Sequence, residues 1–133
     1  MLQRSVFRAI PFRSSVVRCA SNYVVLGSAD SFKTIMETEG PKILYFTATW
    51  CPPCKKIAPV FEKLSKDFSN TTFVKIDIDD NRELAEEHRI SSVPTFKAFS
   101  GSKLLSQVNM SLILLYQDIH NFHLIALIYY IDI

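Results

Sequence analysis

The feature that most restricts this chain is an apolar run, Ile43, Leu44, Tyr45 and Phe46, that leads almost directly into Trp50-Cys51-Pro52-Pro53-Cys54-Lys55. An unbroken run of this kind suits a central strand covered on both sides. Beyond the cysteines, Ile57, Val60, Phe61, Leu64 and Phe68 share one helical face, while Lys56, Glu62, Lys63, Lys66 and Asp67 lie largely elsewhere. The pair of cysteines is therefore expected where a buried strand turns into a long helix, which Pro59 bends by removing one hydrogen bond.

Helical and strand periods alternate around this junction, which is the mark of an α/β domain. Tyr23 to Leu26 reads as a short first strand. Asp30 or Ser31 is expected to cap a helix carrying Phe32, Ile35 and Met36 on one face, ended by Gly40 and Pro41. Phe73, Val74, Ile76 and Ile78 form a second core strand that includes Lys75. Asp79, Asp80 and Asn81 are expected to cap a short helix through Leu84, Ala85 and His88, with His88 on its inner side. Pro94 to Phe99 and Lys103 to Val108 read as a hairpin around Ser100, Gly101 and Ser102. A chain of 133 residues suits one such domain. Its net charge of +2 is spread among Lys55, Lys56, Lys63, Lys66, Lys75 and Lys97, so these lysines read as a solvated surface and nucleic acid is not expected as a partner.

With only 3 cysteines, a disulfide-stapled secreted scaffold is excluded, and the C-x-x-C spacing points to redox or metal chemistry. Placed at the mouth of a helix, Cys51 meets unpaired amides and the positive end of the helix dipole, which favour thiolate over thiol. Cys54, one turn further in, is placed to attack a mixed disulfide formed at Cys51 and release the reduced substrate. Pro52 and Pro53 stiffen the turn and withdraw two amides that would compete.

The segment Trp50 to Lys55 at a strand-to-helix junction, followed some forty residues later by Val93, Pro94 and Thr95 before a strand, resembles the thioredoxin family from about Val24 to Val108. The resemblance implies a thioredoxin-like α/β fold, a central mixed sheet with helices on both faces. It implies a redox-active disulfide between Cys51, the nucleophile, and Cys54, the resolving thiol. Trp50 would shield it, Pro94 would be a cis proline, and Trp50, Val93 and Pro94 would receive the substrate chain. The implied activity is protein-disulfide reduction without a bound cofactor or metal. Electrons would come from NADPH through thioredoxin reductase, and the other partners would be disulfide-containing client proteins meeting a monomer. One position departs from the family: a buried aspartate usual six residues before the first cysteine is Tyr45 here. Tyrosine, with an ordinary pKa near ~10, is a poor base at neutral pH. Slower deprotonation of Cys54, or proton transfer through water influenced by Lys75, is the expected consequence.

Three other readings remain open. Cys51 and Cys54 could be half of a zinc site, but the spacing of His120 and His123 is shorter than usual zinc-ligand spacing and two prolines serve no purpose there. A thioredoxin-like binding or regulatory module would not need the resolving thiol. The chain could also be a poorly folded, non-functional splice product, because the family pattern stops near Val108. Residues 109–133 form a divergent apolar tail without lysine or arginine, in which a conventional closing helix is missing or replaced. Asp118, His120, Asn121 and His123 interrupt it too often for a membrane span of about 20 apolar residues.

Residues 1–20 differ from the remainder. Arg4, Arg8, Arg13 and Arg18 are the only charges before Asp30, serines are frequent, and Leu2, Val6 and Ile10 recur every four residues. That is the signature of a mitochondrial transit peptide, which implies a mature domain over 21–108 in the matrix.

Overall fold

The computed structural model describes residues 22–109; the proposed leader, nearly all of the tail, and with it His120 and His123, lie outside the described residues. Among the described residues five strands and three helices follow in the order β1 (Tyr23–Val25), α1 (Ala29–Glu37), β2 (Pro41–Thr47), α2 (Pro52–Asp67), β3 (Thr72–Asp77), α3 (Arg82–Glu87), β4 (Thr95–Ser100) and β5 (Lys103–Asn109). The strands form one mixed sheet in the order β1-β3-β2-β4-β5. The pairs β1/β3 and β3/β2 are parallel, and β2/β4 and β4/β5 are antiparallel.

The apolar run thus occupies the centre of the sheet, and Ile43 to Phe46 are wholly buried. Parallel crossovers are almost always right-handed. The first crossover passes from β1 across to β2, and the second returns from β2 to β3, so their helices fall on opposite faces. Alternation along the strands supplies a core to each. Ile43, Tyr45, Phe73 and Phe96 pack with Ile57, Phe61 and Leu64 of α2 on one face. Leu44, Phe46, Val74, Ile76 and Phe99 pack with Phe32 of α1 and Leu84 of α3 on the other.

Several local expectations require correction. Ser28, not Asp30 or Ser31, caps α1: its backbone is extended and its hydroxyl accepts from the Ser31 amide at 3.4 Å. Asp30 instead lies in the first turn, where its negative charge suits the helix dipole. The helix ends at Glu37, and the Thr38 hydroxyl donates to the Ile35 carbonyl at 2.7 Å. Gly40, at φ +100°, makes the turn into β2, which already begins at Pro41. Asn81 precedes α3 without a side-chain cap; its amide donates instead to the Asp77 carbonyl at 3.0 Å.

The charged residues also depart from the surface reading. Lys97 is buried and its Nζ donates to the His88 carbonyl at 2.6 Å, serving the C-terminal end of α3. Lys42 is buried as well, donating to the carbonyls of Thr38, Gly40 and Gly101. Burial pushes both ammonium groups below their ordinary pKa. Among the described residues neither is within ion-pair distance of a carboxylate, although the Glu39 charge opposes the effect of burial on Lys42; the carbonyls that accept from both offer peptide dipoles, which burial makes worth more.

His88 lies among the rings of Phe32, Phe46 and Phe99, and among the described residues its buried Nε2 has no hydrogen-bond partner. Burial and then the Lys97 charge lower its pKa, against an opposing pull from Glu87. A histidine held neutral by folding opposes protonation, so the unfolded chain binds the extra proton more readily. The stability it contributes is complete above about pH 6.5, the value for an exposed imidazole, and declines as pH falls below it. Urea midpoints should therefore drop between pH 7.5 and 5.5. In His88→Phe most of that drop should disappear, and an unchanged pH dependence would refute the assignment.

Candidate active site

The end of β2 delivers Trp50 and Cys51 to the first turn of α2. Cys51 is the N-cap residue, with extended backbone, and its Sγ accepts from the Cys54 amide at 3.3 Å. The two intervening residues, Pro52 and Pro53, have no N–H to offer. The Cys54 amide is therefore the first donor available at this helix end, and the sulfur takes it. The next, from Lys55, donates to the Cys51 carbonyl at 3.3 Å. The prolines thus direct the helix's leading donor onto the sulfur without competition.

Cys51 and Cys54 are joined by a disulfide with their Cα atoms 5.3 Å apart. Both are buried as residues, Cys51 at 4% exposure and Cys54 at 1%, so Cys51 is the slightly more accessible half. The Cys51 Sγ lies 3.6 Å from the Val93 carbonyl oxygen, and the Val93–Pro94 peptide bond is cis. This loop leads straight into β4, whose antiparallel pairing with β2 holds Thr95 opposite Phe46. The topology therefore brings the two separated segments Trp50 to Cys54 and Val93 to Pro94 to one end of the sheet.

Trp50 stands 64% exposed beside the disulfide. Its Nε1 donates to Asp79 Oδ2 at 2.9 Å, and the Asp79 amide in turn donates to Asp77 Oδ1 at 3.0 Å. Sequence reasoning missed this tether because Asp79 sits among residues that equally suggest a helix start. Only the β2/β3 pairing, which sets Thr47 opposite Asp77, makes the two segments neighbours.

Behind the disulfide, Tyr45 is fully buried, its ring stacked on Phe96 at 4.8 Å and tilted against Phe61 at 5.0 Å. Its hydroxyl donates to the Cys54 carbonyl at 2.9 Å. Burial pushes the phenol above its ordinary pKa, so at neutral pH it stays protonated and acts as a donor. Lys75 is directly opposite Tyr45 on β3. A cleft of about 340 Å³ opens at this end of the sheet, lined by Thr47, Cys54, Lys55, Ala58, Lys75 and Asp77, among others. Among the described residues no group of three histidine, cysteine or acidic side chains is arranged to hold a metal ion.

Comparison with known proteins gives the same picture. The family profile described as Thioredoxin matches residues 23–113. A curated thioredoxin of Geodia cydonium is 40% identical over 77 residues, 56% of this chain and 73% of its own length. That of Oryctolagus cuniculus is 39% identical over 74 residues, 54% of this chain and 70% of its own. Among solved structures, thioredoxin from Trypanosoma brucei brucei superposes with a TM-score of 0.62 at 35% identity, covering 65% of this chain and 76% of its own. The oxidized mitochondrial thioredoxin 3 of Saccharomyces cerevisiae gives 0.60 at 28% identity, with 65% and 81% covered. With the profile spanning well over half of its length, and with a thioredoxin-like fold whose Cys51–Cys54 disulfide points to thiol-disulfide oxidoreductase activity, this chain belongs to the thioredoxin family.

Proposed function

We propose that the chain reduces disulfides of client proteins by dithiol-disulfide exchange, as a monomer in the mitochondrial matrix, with electrons drawn from NADPH through thioredoxin reductase. The observation that carries this reading is a sulfur at a helix N-cap, bonded to a second sulfur one turn behind and facing an available backbone carbonyl. In the reduced protein the Cys51 thiolate attacks a client sulfur, forming a mixed disulfide and expelling one client thiolate. Cys54 then loses its proton and attacks Cys51 Sγ. The Cys51–client bond breaks, the Cys51–Cys54 bond forms, and the second client thiolate departs. The client gains two electrons and the protein loses two.

Trp50, Val93 and Pro94 border the place where an extended client segment would lie, and Pro52 and Pro53 fix the turn that presents Cys51. Tyr45 and Lys75 stand behind Cys54. The matrix assignment rests on residues 1–20, whose arginines, serines and lack of acids suit import. In this reading the domain is 21–108, followed in the sequence by the divergent apolar tail of 109–133.

Insulin reduction in the presence of dithiothreitol tests the reaction. The full chain should accelerate precipitation of the insulin B chain well beyond dithiothreitol alone, and Cys51→Ser should return the rate to background. Equal rates for the two proteins would refute the redox reading.

A further inference from the structure

Resolution requires that Cys54 give up a proton, yet its side chain is buried, and Tyr45 behind it is a phenol already donating to the Cys54 carbonyl. A route outward exists through the cleft beside it. Of the residues lining that cleft, Lys55 and Lys75 are cations and Asp77 is the one carboxylate. Asp77 stands two residues after Lys75 on β3, so strand alternation puts both side chains on the α2 face, the face that holds Cys54. Its Oδ1 is engaged by the Asp79 amide at 3.0 Å, whereas its Oδ2 makes no hydrogen bond among the described residues. The cleft, at about 340 Å³, has room for several waters, each occupying about 30 Å³ in the liquid.

We infer that Asp77 is the proton acceptor for Cys54, reached through water in the cleft that both residues line. This rests on the redox reading proposed above and supplies its missing base. The step balances simply. The Cys54 S–H proton passes through water to the Asp77 carboxylate, and the Cys54 thiolate attacks Cys51 Sγ. The departing client thiolate then recovers a proton from the solvent, to which Asp77 returns its own. Lys75, on the same strand face, supplies positive charge where the thiolate forms.

The test separates capture from release. Reduced protein is mixed with glutathione disulfide, quenched with acid at intervals, alkylated, and the Cys51–glutathione adduct followed by mass spectrometry across pH 6 to 9. General-base assistance is commonly worth about 100-fold or more, but bulk water competes in an open cleft, so adduct lifetime at pH 7 should lengthen at least about tenfold in Asp77→Asn. The asparagine keeps an oxygen for the Asp79 amide, so Trp50 keeps its tether. The lengthening should shrink toward pH 9 as hydroxide replaces the carboxylate, and Asp77→Glu should restore the wild-type profile. Asp77→Ser gives the same comparison if the asparagine variant fails to fold. An adduct lifetime and pH profile equal to wild type in either neutral variant would overturn the role of Asp77. If Cys51→Ser abolishes reduction while Asp77→Asn changes nothing, only this inference falls; if Cys51→Ser is fully active, the redox reading falls first.

Discussion

Cys54→Ser should stop turnover while leaving capture intact, so that client proteins accumulate on the chain as adducts to Cys51. Insulin reduction should fall to the dithiothreitol background, because serine cannot displace a sulfur from the mixed disulfide. Capture should survive, because the backbone amide of residue 54, not its side chain, donates to Cys51 Sγ. Non-reducing gels should show slower bands that vanish on reduction, and those bands should be missing from the Cys51→Ser, Cys54→Ser double variant. A Cys54→Ser protein that turns over insulin, or that forms no adduct, would remove the two-sulfur scheme.

The second large effect is on stability. Phe61 is fully buried on α2, with the rings of Tyr45 at 5.0 Å, Phe73 at 5.1 Å, Phe96 at 5.8 Å and Tyr23 at 6.1 Å. It joins the helix capped by Cys51 to four strands of the sheet at once. Truncating such a ring leaves a cavity its rigid neighbours cannot close, so Phe61→Ala should cost about 3–5 kcal/mol. Domains of this size have only about 5–15 kcal/mol in hand, so this one change removes a large share of it. Urea denaturation of the full chain measures it. A loss below about 1 kcal/mol would mean that the aromatic cluster does not anchor α2. Because α2 positions the cysteines, redox activity should fail at a lower temperature in the same variant.

Much of the fold was legible because two periods met at one place. The run Ile43 to Phe46 suited a covered strand and the spacing from Ile57 to Phe68 suited an amphipathic helix after it, so Cys51 was expected at the junction between them. Other features were not legible, for definable reasons. Lys97 looked like surface charge because sequence reveals a cation but not the carbonyl that receives it. Ser28 lost the cap position to Asp30 and Ser31 on paper because all three have suitable oxygens, and backbone geometry alone chooses among them. The tether from Trp50 to Asp79 spans 29 residues and depends on parallel strand register, which no local pattern specifies. Asp77 was hidden for the same reason: its place beside Cys54 comes from β3 lying against β2.

Asn22 also has a mechanical role. The Asn22 side-chain amide donates to the carbonyls of Ser65 and Phe68 at 2.7 Å and of Thr71 at 3.1 Å, while the Asn22 backbone carbonyl accepts the Phe73 amide at 2.6 Å. It therefore buckles the far end of α2 to the strand that follows it. A cut just beyond Asn22 would unfasten that buckle and take a donor away from each of these carbonyls, at the foot of the helix whose other end carries the sulfurs.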